Sequence, residues 1–146
     1  MLEDFLYACF LVILTVFIHA IGFAALIRAL IRASALRATE FWPVTSLVMG
    51  LTCWLILTHL AEITLWGLFY FWQGLISDFR SSLYFSAGTY TTLGAGDLAL
   101  PHAWRIFAPL EALTAALMVG LSTGLFFSIV NRWVGNWMKI RTSSEL

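Results

Sequence analysis

From Phe5 to Ile27 the chain contains no Asp, Glu, Lys or Arg, and His19 is the one strongly polar side chain in that run. At ~1.5 Å rise per residue, such a segment folded as a helix covers the ~30 Å hydrocarbon core of a bilayer. Two further stretches share this character. One starts near Pro43, a residue suited to the first turn of a helix, and reaches about Phe71 with Glu62 as its only charge. The other runs from Ile106 to Val130 and contains Glu111. Three such spans in 146 residues leave little chain for a water-soluble core. Composition agrees: 61% of residues are hydrophobic and 11% charged, whereas a soluble domain has about 25% charged. The expected class is an all-α membrane protein with three transmembrane helices. A cleavable signal peptide is the rival reading of the first run, but the basic residues follow it rather than precede it. A net charge of zero argues against a nucleic-acid partner. Cys9 and Cys53 lie inside apolar runs, outside any metal-ligand spacing, and are expected as small buried hydrophobes rather than a disulfide.

Sidedness follows from the basic residues. Arg28, Arg32 and Arg37 fall in the first linker, and Arg132, Lys139 and Arg141 follow the third span, while only Arg80 and Arg105 lie between the second and third. The positive-inside rule puts the first linker and the C-terminus in the cytoplasm, and the N-terminus and residues 73–105 outside, in a cell membrane. Trp72 and Trp104 then fall at one interface, and Trp42, Trp133 and Trp137 at the other. The organisation expected is an N-terminal helix with a basic linker over 1–40, a module over 41–132, and a cytoplasmic tail over 133–146 too short for a ligand-binding gating domain.

Residues 73–105 begin and end on the same side, yet their middle, SSLYFSAGTYTTL, is too apolar for an exposed loop. Ser77 or Asp78 can cap a short helix over about 79–91, and TTLGAGDL follows it. Non-helical backbone at membrane depth is tolerated only where it is buried in protein or lines a water-filled cavity. A re-entrant half-helix with an extended, Gly-rich return is therefore expected, the partly negative end of the helix favouring a cation. Gly94 and Gly96 allow φ > 0 at alternate positions, so that successive carbonyls can turn to one side. Four such strands around an axis would form oxygen rings able to replace a cation's hydration shell.

The run SLYFSAGTYTTLGAGDL, Ser82 to Leu98, resembles the pore helix and selectivity filter of potassium channels and their relatives, the tetrameric P-loop cation channels. The flanking apolar spans, 42–72 and 106–130, lie where that family has its outer and inner helices. The resemblance covers roughly the C-terminal two thirds of the chain; the first span has no counterpart in the minimal two-helix pore. It implies that Thr92, Leu93, Gly94, Ala95 and Gly96 occupy the five filter positions, with Asp97 on the following acid. The carbonyls of Thr92 to Ala95 and the Thr92 hydroxyl would then coordinate K⁺. Where the family has an aromatic residue between the two glycines, this chain has Ala95, and Gly88 stands where some relatives have an acid. Thr91 and Asp97 are expected to support the filter, Tyr84 to reach Asp97 through its hydroxyl, and Tyr90 to fill part of the space left by Ala95.

Gly120 and Gly124, in GLSTG, permit either close helix packing or a bend where a pore-lining helix opens. Glu62 and Glu111 are costly within a membrane unless they face protein or water. His59 and Glu62 share a helix face at i,i+3 and can hydrogen-bond. Glu111, near the level of the filter, is expected to be structural and satisfied by backbone or hydroxyl groups, with a proton sensor as its alternative. His19 and His59 both fall near mid-membrane, so a haem held between two spans is the rival from a different class. No catalytic constellation can be assembled, and no Arg series suggests a voltage sensor. One pore loop per chain calls for four identical chains around one axis. The expected protein is a homotetrameric, passive K⁺ channel among membrane lipids, with no cofactor beyond the permeant ion. Its K⁺/Na⁺ discrimination is expected to be reduced by Ala95, and a non-selective monovalent cation channel is the alternative.

Overall fold

The structure, a computed structural model, describes residues 2–32 and 41–144, with the side chains at 2–4, 41, 136, 137 and 139–144 left aside. Arg37 lies outside the described residues, as do the side chains of Trp137, Lys139 and Arg141. Four α-helices follow in order: α1 Leu2–Arg32, α2 Phe41–Trp72, α3 Phe79–Tyr90 and α4 Phe107–Ser144. A 3₁₀ turn, His102–Trp104, precedes α4, and no strand occurs among the described residues. Three segments are long and apolar enough to cross a membrane: Phe5–Arg32, Trp42–Trp72 and His102–Gly135.

The helix ends follow from local chemistry. Pro43 occupies the first turn of α2, where its missing N–H costs nothing. Of the two candidate caps for α3, Asp78 serves: its backbone is extended and Oδ1 accepts the Ser81 N–H at 2.9 Å. Helix α4 runs past the expected end at Val130 to Ser144. No proline follows Pro109, and isolated glycines, Gly120, Gly124 and Gly135, weaken a helix without ending it.

Helix α3 packs against α2 and α4, and α1 lies along α2 and α4. At Gly22 of α1 a Cβ would sit 2.8 Å from Thr58 Oγ1, and Trp54 Nε1 donates to the Gly22 carbonyl at 2.9 Å. The missing side chain thus lets α1 and α2 approach closely. One apolar cluster surrounds α3: Leu11, Trp66, Tyr70, Phe85, Ala95 and Phe107 are all buried in it. Within it Phe69 stacks on Phe107 at 5.4 Å, and Tyr70 meets Phe85 edge-on at 5.2 Å. A second cluster, Leu26, Leu30, Leu51, Leu55 and Ile129, joins α1, α2 and α4 towards the other end of the bundle. Both cysteines are free; Cys9 is half-buried, but Cys53, expected inside, is exposed on α2. An all-apolar helix surface can face lipid, so a small apolar residue there has no need of protein cover.

Candidate functional site

The chain leaves α3 through a turn whose backbone conformation alternates. Thr92, Gly94 and Gly96 have φ of +59°, +84° and +61°. Glycine takes this region freely, whereas a β-branched threonine enters it only where its surroundings impose it, at a cost of about 1–3 kcal/mol. Thr91 closes the helix, its N–H bonding to the Ala87 carbonyl at 3.0 Å and its hydroxyl to the same oxygen at 2.7 Å. The loop is then pinned back onto α3 by the Gly94 N–H, which donates to the Gly88 carbonyl at 3.0 Å. A Cβ on Gly88 would lie 2.5 Å from the Gly94 carbonyl oxygen and 3.3 Å from the Ala95 Cα. Glycine at 88 is therefore a steric requirement of this loop.

A single side chain of the loop turns inward. Thr92, Leu93, Gly94, Gly96 and Asp97 are exposed, Leu93 at 86%, while Ala95 between them is buried. The Ala95 side chain belongs to the cluster of Trp66, Tyr70, Phe85 and Phe107. Behind the loop, Glu111 of α4 is fully buried. Its Oε2 accepts the Tyr70 hydroxyl at 2.7 Å, and its Oε1 the Ser86 hydroxyl at 2.5 Å. One carboxylate thus joins α2, α3 and α4 through hydroxyl groups, the kind of partner expected for it.

The two tyrosines of α3 differ from expectation. Tyr84 is 60% exposed, and no hydrogen bond joins it to Asp97 among the described residues. It lies off the face of α3 that buries Ser82, Phe85, Ser86, Gly88 and Tyr90. Tyr90 is buried, but its hydroxyl donates to Glu62 Oε2 and lies 2.8 Å from His59 Nδ1 on α2. The α3 residue packed in the same cluster as Ala95 is Phe85.

Tyr90 belongs to a buried polar cluster to which every helix contributes. His19 Nδ1 of α1 lies 2.7 Å from Glu62 Oε1, and His59 Nδ1 lies 3.4 Å from Oε2. The α4 hydroxyl of Ser122 stands 3.1 Å from His59 Nε2 and 3.4 Å from His19 Nε2. The two imidazoles sit 5.5 Å apart, centre to centre, with both Nε2 atoms converging on one hydroxyl. Such rings do not flank a slot for a macrocycle, which disfavours haem ligation by His19 and His59. Sequence reasoning singled out His19, His59 and Glu62 but missed Ser122, read only as spacing between Gly120 and Gly124. It also missed Tyr70 and Ser86, whose sole signal was a hydroxyl within an apolar run.

Gly120 and Gly124 lie within the continuous α4, and a Cβ at either would meet nothing within 4 Å. With Leu113 and Leu117 they form an exposed stripe. A family model described as "Ion channel" matches residues 51–132, more than half of the chain. The chain belongs to the ion channel family. The match takes in most of α2, all of α3, the loop and the first part of α4, and leaves α1 outside. Comparisons with curated proteins and with solved structures return no match. The channel is an integral membrane protein that passes ions passively, a family property with no enzymatic step.

Proposed function

We propose that the channel is a homotetramer conducting K⁺, with Thr92, Leu93, Gly94, Ala95 and Gly96 of four chains as its filter. The observation that carries this reading is the positive φ at every second residue, 92, 94 and 96, in an exposed loop directly after a capped half-helix. Alternation of that kind can bring successive carbonyls to one side, as cation coordination needs. The C-terminal end of α3 adds a partial negative charge near the loop. A single loop cannot enclose a path, and the exposed stripe Leu113, Leu117, Gly120 and Gly124 offers a face for neighbouring copies. Thr91, Asp97 and Glu111 support the filter, and conduction needs no cofactor beyond the permeant ion. The channel sits in the cell membrane with its N-terminus outside and its C-terminus in the cytoplasm.

Ala95 supports a second reading, a non-selective monovalent cation channel. Substituting the outward-facing side chain deletes no coordinating oxygen, but it loosens the bracing that keeps the carbonyls at one radius. Reversal potentials of the purified protein in a bilayer under K⁺/Na⁺ gradients test both. A potential displaced towards that of K⁺ supports the first reading, and one near zero the second. Preference for Na⁺, or passage of anions, overturns the filter assignment.

A further inference from the structure

Glu62 is completely buried, yet no Lys or Arg forms an ion pair with it among the described residues. Among the described residues its ion-pairing partners are the imidazoles of His19 and His59. A carboxylate sealed among apolar helices is costly unless a positive charge is held beside it. The nitrogens are arranged for such a partner. Ser122 Oγ faces both Nε2 atoms, and its two lone pairs can accept an N–H from each ring. In that tautomer both Nδ1 atoms carry lone pairs: that of His19 lies 2.7 Å from Glu62 Oε1, and that of His59 lies 2.8 Å from the Tyr90 hydroxyl and 3.4 Å from Glu62 Oε2. The ligand atoms of His19, His59 and Glu62 all lie within 4.8 Å of one another.

We propose that His19, His59 and Glu62 bind a divalent transition-metal ion of the Zn²⁺ class, and that occupancy ties α1 to α2 and releases Tyr90 at the base of the filter loop. Two imidazole nitrogens and a carboxylate are a donor set that Zn²⁺ and its neighbours favour. Metal–ligand bonds of about 2.0–2.1 Å place neighbouring donors of a tetrahedral centre about 3.3 Å apart. His59 Nδ1 and Glu62 Oε2, at 3.4 Å, already have that spacing. His19 Nδ1 is hydrogen-bonded to the other carboxylate oxygen, Oε1, at 2.7 Å, and must give up that contact, its proton passing to solvent, to join His59 Nδ1 and Oε2 at the metal. Ser122 is the outer partner that sets ring orientation, and Tyr90 stands beside the remaining position. Tyr90 is also the last residue of α3, next to Thr91 and Thr92. A metal competing for Glu62 Oε2 therefore displaces the hydrogen bond that fixes the start of the loop. This consequence for the current rests on the filter reading above; the binding site does not.

The test uses purified full-length channel carrying Cys9→Ser and Cys53→Ser, which removes both thiols, titrated with Co²⁺ alone. One Co²⁺ per chain with the intense visible absorption of a four-coordinate centre is expected, displaced by Zn²⁺. Ser122→Ala should weaken binding about 10-fold and His19→Asn at least about 100-fold. His102→Ala, at an exposed histidine away from the cluster, should leave binding unchanged. Absence of Co²⁺ uptake by the folded protein, or affinity unchanged in both Ser122→Ala and His19→Asn, overturns the site. In bilayers Zn²⁺ should reduce the current of the parent and spare that of His19→Asn. Co²⁺ binding without any cation current would sink the filter reading and leave the metal site standing; current without Co²⁺ binding would do the reverse.

Discussion

The hydroxyl of Ser86 on α3 donates a 2.5 Å hydrogen bond to Glu111 Oε1 on α4, linking the half-helix to the longest spanning helix directly behind the loop. Tyr70 uses the other carboxylate oxygen, whereas Ser86 has a second acceptor in the Ile63 carbonyl at 2.9 Å. The two tyrosine and serine contacts are thus unequal in what they lose if the carboxylate is removed. Glu111→Gln keeps an acceptor and the side-chain volume, and should retain assembly and most of the current. Glu111→Leu orphans the buried Tyr70 hydroxyl, at a cost of about 1–3 kcal/mol. Thermal unfolding and size-exclusion chromatography of both variants check this. If Glu111 is a proton sensor instead, Glu111→Gln will abolish pH dependence of the current.

Gly88→Ala should abolish conduction. Its Cβ would meet the Gly94 carbonyl oxygen at 2.5 Å, a backbone atom that cannot move without dislodging the loop. Gly94→Ala should do the same for a different reason, because a side chain disfavours φ of +84° by about 1–2 kcal/mol. Gly120→Ala and Gly124→Ala meet no atom within the chain and should keep the helix intact. Slower opening in single-channel records would identify either one as a bend point; unchanged gating would leave packing as its role.

Ala95→Tyr should impair folding rather than sharpen selectivity. Phe85 and Tyr70 already occupy the cluster around Ala95, and forcing a ring into a filled core costs about 1–3 kcal/mol. The double variant Ala95→Tyr, Phe85→Ala should recover assembly, and its reversal potential should move closer to that of K⁺ than the parent's. Equal stability of Ala95→Tyr and the parent would mean that the space beside Ala95 is open.

The cap of α3 predicts a pH response. Hydrogen bonding from the Ser81 side chain and backbone N–H holds the Asp78 carboxyl below the usual aspartate range. A lowered pKa in the folded state means that this contribution is present above the ordinary aspartate pKa and fades as pH falls through the lowered one. Asp78→Ala should therefore lower Tm at neutral pH, and the gap between variant and parent should close in strong acid. A gap independent of pH would show that the carboxylate is not the capping group.

What could be read from the sequence was whatever depends on neighbours along the chain. Apolar runs holding at most one charge mark α1, α2 and α4, since a charge facing lipid is costly whichever way the helix is turned. Asp78 before an apolar half-helix marks its start, and two glycines at alternate positions mark where the backbone can take positive φ. The rotation of each helix about its own axis was not legible. In a soluble helix a polar stripe marks the outer face, but α2 is apolar all round, so its pattern does not distinguish lipid from protein. Only packing of the helices against one another decides that Tyr84 faces outward while Tyr90 reaches Glu62. The same packing brings Tyr70 to Glu111, 41 positions away, and Ser122 to His19, 103 positions away. Those pairs exist because a buried polar group must find its partner within the bundle, and the bundle alone sets which partner is in reach.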